Sequence, residues 1–291
     1  MTEHIHLITH NEDGLTVKSI ARNVMRVSAT RFSHMKFNGG VLLDGAAAYA
    51  NDIVREGRTL TLIERETPAY IPAPYERDVP VVYEDEQIYI IDKPAPMACQ
   101  SGSQRLTDSL ENAMAYRYAS IPGFIFRPVN RLDKGTCGLM AAAKSGLAHA
   151  LLQRQLHTGA FRRAYLAVTD GIPENRQGEI RLPIARAPDS TVKRAVAANG
   201  KAAVTRYRVL YHNGALALIC LELETGRTHQ IRVHLSALGC PVTGDYLYGK
   251  EHAALPGRFA LHSAFIQLVH PMTGQTVTVR SALPKELAAL F

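Results

Sequence analysis

The sequence predicts an α+β protein in which a large domain, built on a mixed and largely antiparallel β-sheet, follows a small α/β module. After residue 80, strand-like runs outnumber helical ones, and strands and helices do not alternate regularly. The chain has 291 residues, of which 46% are hydrophobic and 20% charged, as in folded globular proteins. This composition argues against disorder as the main state.

The small module begins with two short helices and ends with strands. Apolar residues recur at helical spacing over 17–25, and a second helix is predicted to begin near Ser28 or Thr30 and to end before Gly39. Strands are predicted at 41–45 and 59–63. The first helix carries basic residues four positions apart, at Lys18, Arg22 and Arg26. This spacing places three cations on one face.

A proline-rich stretch separates the module from the large domain and predicts an extended, semi-rigid connection. The predicted boundaries are 1–66 for the module, 67–80 for the linker and 81–291 for the large domain. Within that domain the expected strands are 79–83, 88–91, 165–168, 202–211, 215–223 and 259–269. The expected helices are 107–118, 145–157, and a third that is capped by Thr228 and ends at Gly239.

The charge pattern singles out one acid. The formal net charge is +7, which suits a nucleic-acid or phosphate-rich partner. Between Glu111 and Asp170 the chain has one carboxylate, Asp133, and eight basic residues. An isolated acid in such a stretch predicts a pocket that binds a polyanion and holds one functional carboxylate.

Other residue patterns argue against several classes of protein. The four cysteines lack metal-ligand spacing and read as reduced thiols of a cytosolic protein. The polar N-terminus does not resemble a signal peptide, and no apolar run approaches the ~20 residues of a membrane-spanning helix. The sequence therefore predicts a cytoplasmic protein with no metal site and no membrane partner.

Three segments carry the candidate chemistry. The first contains Arg131-Leu-Asp133 followed by Lys134-Gly135, where glycine suggests a close backbone approach. The second is the strand with Arg163-Ala-Tyr165. The third is Gly226-Arg-Thr-His-Gln-Ile-Arg-Val-His234, followed by Gly244-Asp-Tyr-Leu-Tyr-Gly249.

These segments, in this order, resemble the RluA-type family of RNA pseudouridine synthases, over nearly all of residues 80–288. The sequence departs from the family pattern where Asn130 replaces a histidine and Arg163 stands where lysine is common. The small module resembles the αL RNA-binding domain first seen in a small-subunit ribosomal protein. The resemblance implies the pseudouridine synthase fold and an isomerase that needs no cofactor.

The resemblance also implies roles for individual residues. Asp133 is the catalytic carboxylate, acting either as a nucleophile at C1′ or as a base on the 2′ proton. Arg227 is the expected salt-bridge partner of Asp133, and Tyr165 is expected to stack on the target base. Candidate RNA contacts are Arg131, Lys134, Arg162, Arg163, Lys18, Arg22 and Arg26. The expected substrate is structured RNA, large-subunit ribosomal RNA before transfer RNA, bound by a monomer.

Two alternatives keep the same scaffold or the same acid. A non-catalytic RNA-binding or RNA-folding protein would use the basic regions without Asp133, and the intact motifs argue against it. A glycoside hydrolase would normally pair two carboxylates across the scissile bond. The sequence around Asp133 offers no second one.

Overall fold

The computed structural model describes residues 2–64, 70–102, 106–156 and 158–291, which form two compact units. One unit comprises the chain up to Ile71 together with Ser120–Ile125, and the other comprises Pro72–Ala119 and Phe126–Phe291. Residues 67–69 of the predicted linker lie outside the described residues. The boundaries 1–66, 67–80 and 81–291 stay predictions.

The first unit packs two short helices on a four-stranded sheet. Its strands are β1 (Thr2–Leu7), β2 (Val41–Leu43), β3 (Ala46–Ala47) and β4 (Thr59–Glu64), in the order β1-β4-β2-β3. Helix α1 (Val17–Ser19) continues as a π-helical turn (Ile20–Val24), and α2 is Ala29–Phe37. The hydroxyl of Ser28 accepts a hydrogen bond from the backbone N–H of Arg31, as an N-cap does. Strand β1 was not predicted.

The second unit is dominated by one ten-stranded sheet. Its strands are β5 (Val81–Glu84), β6 (Ile88–Lys93), β7 (Arg127–Pro128), β8 (Cys137–Ala143), β9 (Arg162–Asp170), β10 (Gln177–Ile180), β13 (Thr205–His212), β14 (Leu216–Leu223), β15 (Leu261–Val269) and β16 (Thr276–Arg280). A separate hairpin pairs β11 (Ile184–Arg186) with β12 (Arg194–Val196). The order along the sheet is β10-β13-β14-β9-β15-β8-β6-β5, with β16 on β15 and β7 on β8.

The pairing in this sheet is antiparallel except between β15 and β8, which run parallel through His262 and Cys137. The predicted α+β class with a mixed, largely antiparallel sheet is confirmed. Strand β8 is buried along its whole length. It was not predicted, because its run of small apolar residues lacks the alternation of a half-buried strand.

Within the described part of this unit, four helices accompany the sheet: α3 (Leu110–Arg117), α4 (Gly146–Gln155), α5 (Gln230–Ala237) and α6 (Lys285–Ala288). Ser109 and Ser145 cap α3 and α4 through their hydroxyls. The predicted cap of α5 was wrong. The N-cap position belongs to His229, in the left-handed region at φ +58°, and its side chain makes no capping bond. Gly239 ends the helix at φ +75°, where glycine is favoured.

Candidate active site

Asp133 lies in a tight turn between β7 and β8. The backbone N–H of Thr136 donates to the carbonyl oxygen of Asp133 over 3.1 Å and closes the turn. A Cβ atom at Gly135 would lie 2.6 Å from the Phe259 ring, so the close approach expected at this glycine is present. The side chain of Asp133 keeps 25% of its surface exposed. The carboxylate is therefore held in place yet accessible.

The segment that follows β6 is hydrogen-bonded to the turn of Asp133. Buried Lys93, the last residue of β6, donates its Nζ to the carbonyl oxygens of Pro94 (2.9 Å), Met97 (2.8 Å) and Lys134 (3.4 Å). The N–H of Met97 also donates to the Lys134 carbonyl, over 2.9 Å. Burial lowers the pKa of Lys93 to about 8. One buried ammonium group thus joins the 94–97 segment to the residue after Asp133.

The ion-pair partner of Asp133 is Arg232. Its Nη1 donates to Oδ2 of Asp133 over 3.0 Å, while its Nε and Nη2 donate to the two carboxylate oxygens of Asp245 over 2.6 and 2.8 Å. The guanidinium carbon lies 4.2 Å from the Phe259 ring centroid and 5.0 Å from that of Tyr248. Burial opposes the charge of Arg232, but hydrogen bonds and charges from Asp245 and Asp133 raise its pKa. Arg232 therefore stays a fixed cation beside Asp133.

The prediction that Arg227 pairs with Asp133 was wrong. Arg227 precedes α5, its side chain is exposed, and its Nε donates to the carbonyl oxygen of Ala202 over 3.0 Å. The amide oxygen of Gln230 accepts hydrogen bonds from the Arg227 N–H and the Thr225 hydroxyl, which fixes this turn. Arg232 instead lies in the first turn of α5, whose buried side faces Asp133. Arg227 and Arg232 belong to the same motif. Arg227 precedes α5 and Arg232 lies within it, so the residue at which the helix begins decides which arginine reaches Asp133.

His229 links the acid to the hairpin of β11 and β12. Its Nε2 lies 4.0 Å from Oδ2 of Asp133, and its Nδ1 is hydrogen-bonded to the Tyr248 hydroxyl at 2.8 Å. That hydroxyl also accepts the backbone N–H of Arg194 over 2.8 Å. Burial lowers the pKa of His229, so the imidazole is neutral near pH 7. His234, by contrast, bonds Thr205 and Leu182 inside the fold.

Tyr165 and Arg163 project from one face of β9. Both are buried, and they alternate along the strand with exposed Arg162 and half-buried Ala164. Burial raises the pKa of Tyr165, so its phenol is protonated near neutrality. Arg162 points to the opposite face, where its guanidinium pairs with Glu222 at 3.4 Å.

Most of the predicted site residues line one pocket of about 1080 Å³. They are Asp133, Tyr165, Arg131, Lys134, Arg163 and Arg227. His229 and Arg232, which were not assigned to the site from the sequence, line the same pocket. Arg162 faces the other side of its strand, and Lys18, Arg22 and Arg26 are exposed residues of the first unit.

Asn130 is bonded to the backbone of the sheet. Its Oδ1 accepts the N–H of Ala141 in β8 over 2.9 Å, and the neighbouring Val129 N–H donates to the Ala141 carbonyl over 2.8 Å. Only 4% of the residue is exposed. Asn130, which stands where the family has histidine, therefore anchors the loop that leads to Asp133 to strand β8.

Comparison with known proteins identifies the class of this fold and site. A family model described as RNA pseudouridylate synthase matches residues 87–237. The chain belongs to this family and is an isomerase. The predicted resemblance to RluA-type synthases is confirmed for the catalytic part, while the RNA-binding role of the N-terminal module stays a prediction.

The chain is similar to several bacterial relatives along almost its whole length. It is 35% identical to the uncharacterized RNA pseudouridine synthase YhcT of Bacillus subtilis, over 98% of this chain and 95% of that protein. It is 36% identical to the ribosomal large subunit pseudouridine synthase D of Pseudomonas aeruginosa, over 91% and 87%. The solved structure of human RNA pseudouridylate synthase domain containing 1 superposes with a TM-score of 0.58 at 24% identity, covering 75% and 86% of the two chains, and shares the fold.

Two further observations concern metals and membranes. Among the described residues, no group of three or more histidine, cysteine, aspartate or glutamate side chains is arranged to hold a metal ion. Within the same part of the chain, no helix is long and apolar enough to cross a bilayer.

Proposed function

We propose that this chain isomerises specific uridines in structured RNA to pseudouridine, with Asp133 as the catalytic carboxylate. The observation that carries the proposal is the shared guanidinium of Arg232, which binds Asp133 through one donor and Asp245 through two. The guanidinium thereby fixes the orientation of the Asp133 carboxylate. Asp133 is also partly exposed to the pocket, whereas Asp245 is fully buried and bidentately bound.

This difference between the two acids favours a single reactive carboxylate over the paired acids of a glycoside hydrolase. A free oxygen of Asp133 attacks C1′ of the ribose, or it removes the 2′ proton; either route breaks the N1–C1′ bond. The uracil then turns within the pocket and rejoins the ribose through C5. Because the product is an isomer, the proposal requires no redox partner and no metal.

Tyr165 is proposed to pack against the target base. Its ring lines the pocket that contains Asp133, and aromatic side chains stack on bases that are turned out of an RNA strand. The raised pKa keeps the phenol protonated near neutral pH. This favours stacking and hydrogen-bond donation over removal of the C5 proton.

The pocket rim is proposed to bind the RNA backbone. Arg131 and Lys134 are exposed and flank Asp133, and Arg227 is exposed on the opposite wall. Cations at these positions suit phosphates on either side of a flipped uridine. Arg162 is proposed as a peripheral phosphate contact, outside the pocket.

The proposed RNA target is large-subunit ribosomal RNA, with transfer RNA as the second candidate. Several similar proteins, from Zymomonas mobilis, Pseudomonas aeruginosa and Nitrosomonas europaea, are named ribosomal large subunit pseudouridine synthase D. Their names support the ribosomal target. Pseudouridine mapping in cells that lack the protein identifies the site, and we propose that the enzyme acts there as a monomer.

The catalytic assignment is tested by Asp133→Asn in the full chain. We expect no pseudouridine formation, because the amide neither attacks C1′ nor takes a proton, while RNA affinity stays within a few fold. Pseudouridine is measured by nucleoside analysis of the digested RNA, and affinity by filter binding. Exposed Asp189→Asn is the matched control and should retain full activity. An Asp133→Asn protein that still modifies RNA would refute the assignment.

A further inference from the structure

Arg163 is a buried cation without an acidic partner. The residue is 9% exposed, and its Nε is buried with no hydrogen-bond partner. Among the described residues no carboxylate forms an ion pair with it, and its guanidinium carbon lies 5.7 Å from the Phe161 ring centroid. Arg232, which is also buried, is neutralised by two carboxylates. An uncompensated buried charge is costly, so the fold keeps Arg163 ready for an anion.

The guanidinium of Arg163 lies inside the pocket of Asp133. Its Nη1 is 3.5 Å from the point that a Cβ atom of Gly226 would occupy, which places it against the wall formed by 223–226. Arg163 and Tyr165 are two residues apart on β9, so their side chains share a face of the sheet. A base that packs on Tyr165 therefore lies within reach of the Arg163 donors.

We propose that Arg163 is a catalytic residue that stabilises the negative charge on uracil when the N1–C1′ bond breaks. This inference rests on the proposed function of Asp133. The bonding electron pair moves to N1 and is shared with the O2 and O4 atoms of the ring. C1′ meanwhile bonds to the Asp133 carboxylate, or the 2′ proton passes to it. When C5 bonds to C1′, the bond between Asp133 and C1′ breaks, or Asp133 returns the proton to C2′. The hydrogen on C5 is then lost and N1 regains a proton, so atoms and charge balance.

The alternative anion for Arg163 is an RNA phosphate, and its position argues against it. Arg131 and Lys134 are exposed at the rim of the pocket, where a backbone would pass. Arg163 is instead enclosed beside Tyr165, where the base would lie. The planar fork of arginine also matches two ring oxygen or nitrogen acceptors. A preorganised donor of this kind is typically worth about 10²–10³-fold in rate.

The test compares uridine with 5-fluorouridine at the target position of one RNA. Fluorine at C5 makes the ring nitrogen more acidic, so the departing anion needs less stabilisation. We expect Arg163→Gln in the full chain to slow cleavage of the uridine glycosidic bond by about 10²–10³-fold in single turnover at saturating RNA. The loss with 5-fluorouridine should be at least about tenfold smaller, and RNA affinity should change by only a few fold.

Arg131→Gln, at the exposed rim of the pocket, supplies the pattern of a phosphate contact. It should weaken RNA binding and its salt dependence without changing the ratio between the two substrates. The proposal is overturned if Arg163→Gln behaves in this way, with equal losses for uridine and 5-fluorouridine. Arg163→Lys, which keeps the charge and most of the volume, should show a smaller loss with the same substrate dependence. Equal rate losses with uridine and 5-fluorouridine in Arg163→Lys would also overturn the proposal. This variant replaces Arg163→Gln in the test if the glutamine variant does not fold.

Asp133→Asn is assayed with the same two RNAs. It should cleave neither, whatever the outcome for Arg163. Cleavage by that variant would refute the proposed function itself, whereas equal substrate losses in the Arg163 variants would refute only the role of Arg163.

Discussion

At the scale of single residues, Arg232 organises the site. It lies between two carboxylates and between the rings of Phe259 and Tyr248, and 3% of its side chain is exposed. One carboxylate, Asp245, is completely buried. Its oxygens accept hydrogen bonds from Arg232 and from the backbone N–H of Leu247. The other carboxylate, Asp133, keeps 25% of its side chain exposed. The buried acid Asp245 thus fixes the cation that binds Asp133.

The first prediction from this arrangement concerns Arg232→Met. We expect the free energy of unfolding to fall by about 3–5 kcal/mol, because Asp245 is left as an uncompensated buried charge. Urea denaturation of the full chain measures the change. Arg227→Met is the matched control and should cost about 0.5 kcal/mol or less, because its side chain is exposed. Equal losses in both variants would contradict the assignment of Arg232 as the buried partner.

At the scale of elements, the turn that contains Asp133 depends on the end of a neighbouring strand. Lys93 closes β6 and donates to carbonyl oxygens on both sides of the site, at Met97 and Lys134. A thiol reinforces the same junction, since the N–H of Leu132 donates to Sγ of Cys99 over 3.3 Å. The position of Asp133 is therefore set by β6 as much as by its own turn.

Lys93 makes stability depend on pH in a defined window. Its folded pKa of about 8 lies below its ordinary value of 10.5, so the unfolded chain binds more protons between these limits. The free energy of unfolding attributable to Lys93 should therefore rise between pH 8 and 10.5, by about 3 kcal/mol in all. Below pH 8 Lys93 is charged in both the folded and the unfolded chain, so the full free-energy cost of burying its charge is present.

The measurement compares the wild type with Lys93→Met by urea denaturation at several pH values from 7.5 to about 10.5. The difference between the two proteins should shift in favour of the wild type as pH rises. Exposed Lys250→Met is the control and should give a difference that does not vary with pH. A flat difference for Lys93→Met would show that Lys93 does not titrate in this range.

At the scale of the whole molecule, the chain combines a pseudouridine synthase unit with a first unit that exposes a local group of three cations. The first unit exposes Lys18 in α1, Arg22 in the π-helical turn and Arg26 two residues beyond that turn. Three arginines of this unit are instead paired with acids: Arg31 with Glu64, Arg55 with Asp13 at 3.3 Å and Arg58 with Asp44 at 2.6 Å. The three exposed cations are the part of this unit best suited to bind RNA.

Replacing Lys18, Arg22 and Arg26 together by glutamine should weaken RNA binding. We expect the slope of log affinity against log salt to become shallower by about 0.7–0.9 for each RNA phosphate that the protein no longer neutralises, since fewer counterions are released. Single-turnover rates at saturating RNA should not change. Arg55→Gln with Arg58→Gln is the control, because those charges already have partners. An unchanged salt slope in the triple variant would argue against an RNA role for this face.

The sequence by itself determined the class of fold and the central acid. Strand-like runs without regular alternation predicted the α+β sheet, and the three motifs predicted an RluA-type synthase, because these properties reside in local patterns. Asp133 stood out because it is the one acid among eight bases in its stretch. Its catalytic role stays a proposal, as do the roles of Tyr165 and the RNA-binding residues.

The tertiary structure decided which side chains meet that acid. Arg227 and Arg232 are both arginines of one motif, but the left-handed residue His229 starts α5 so that Arg232 enters the core and Arg227 remains outside. Asp245 joins the site from the segment that follows α5, and Arg163 is isolated from acids by its place on β9. Such pairings depend on helix start, strand register and burial in three dimensions, which no local pattern of residues contains.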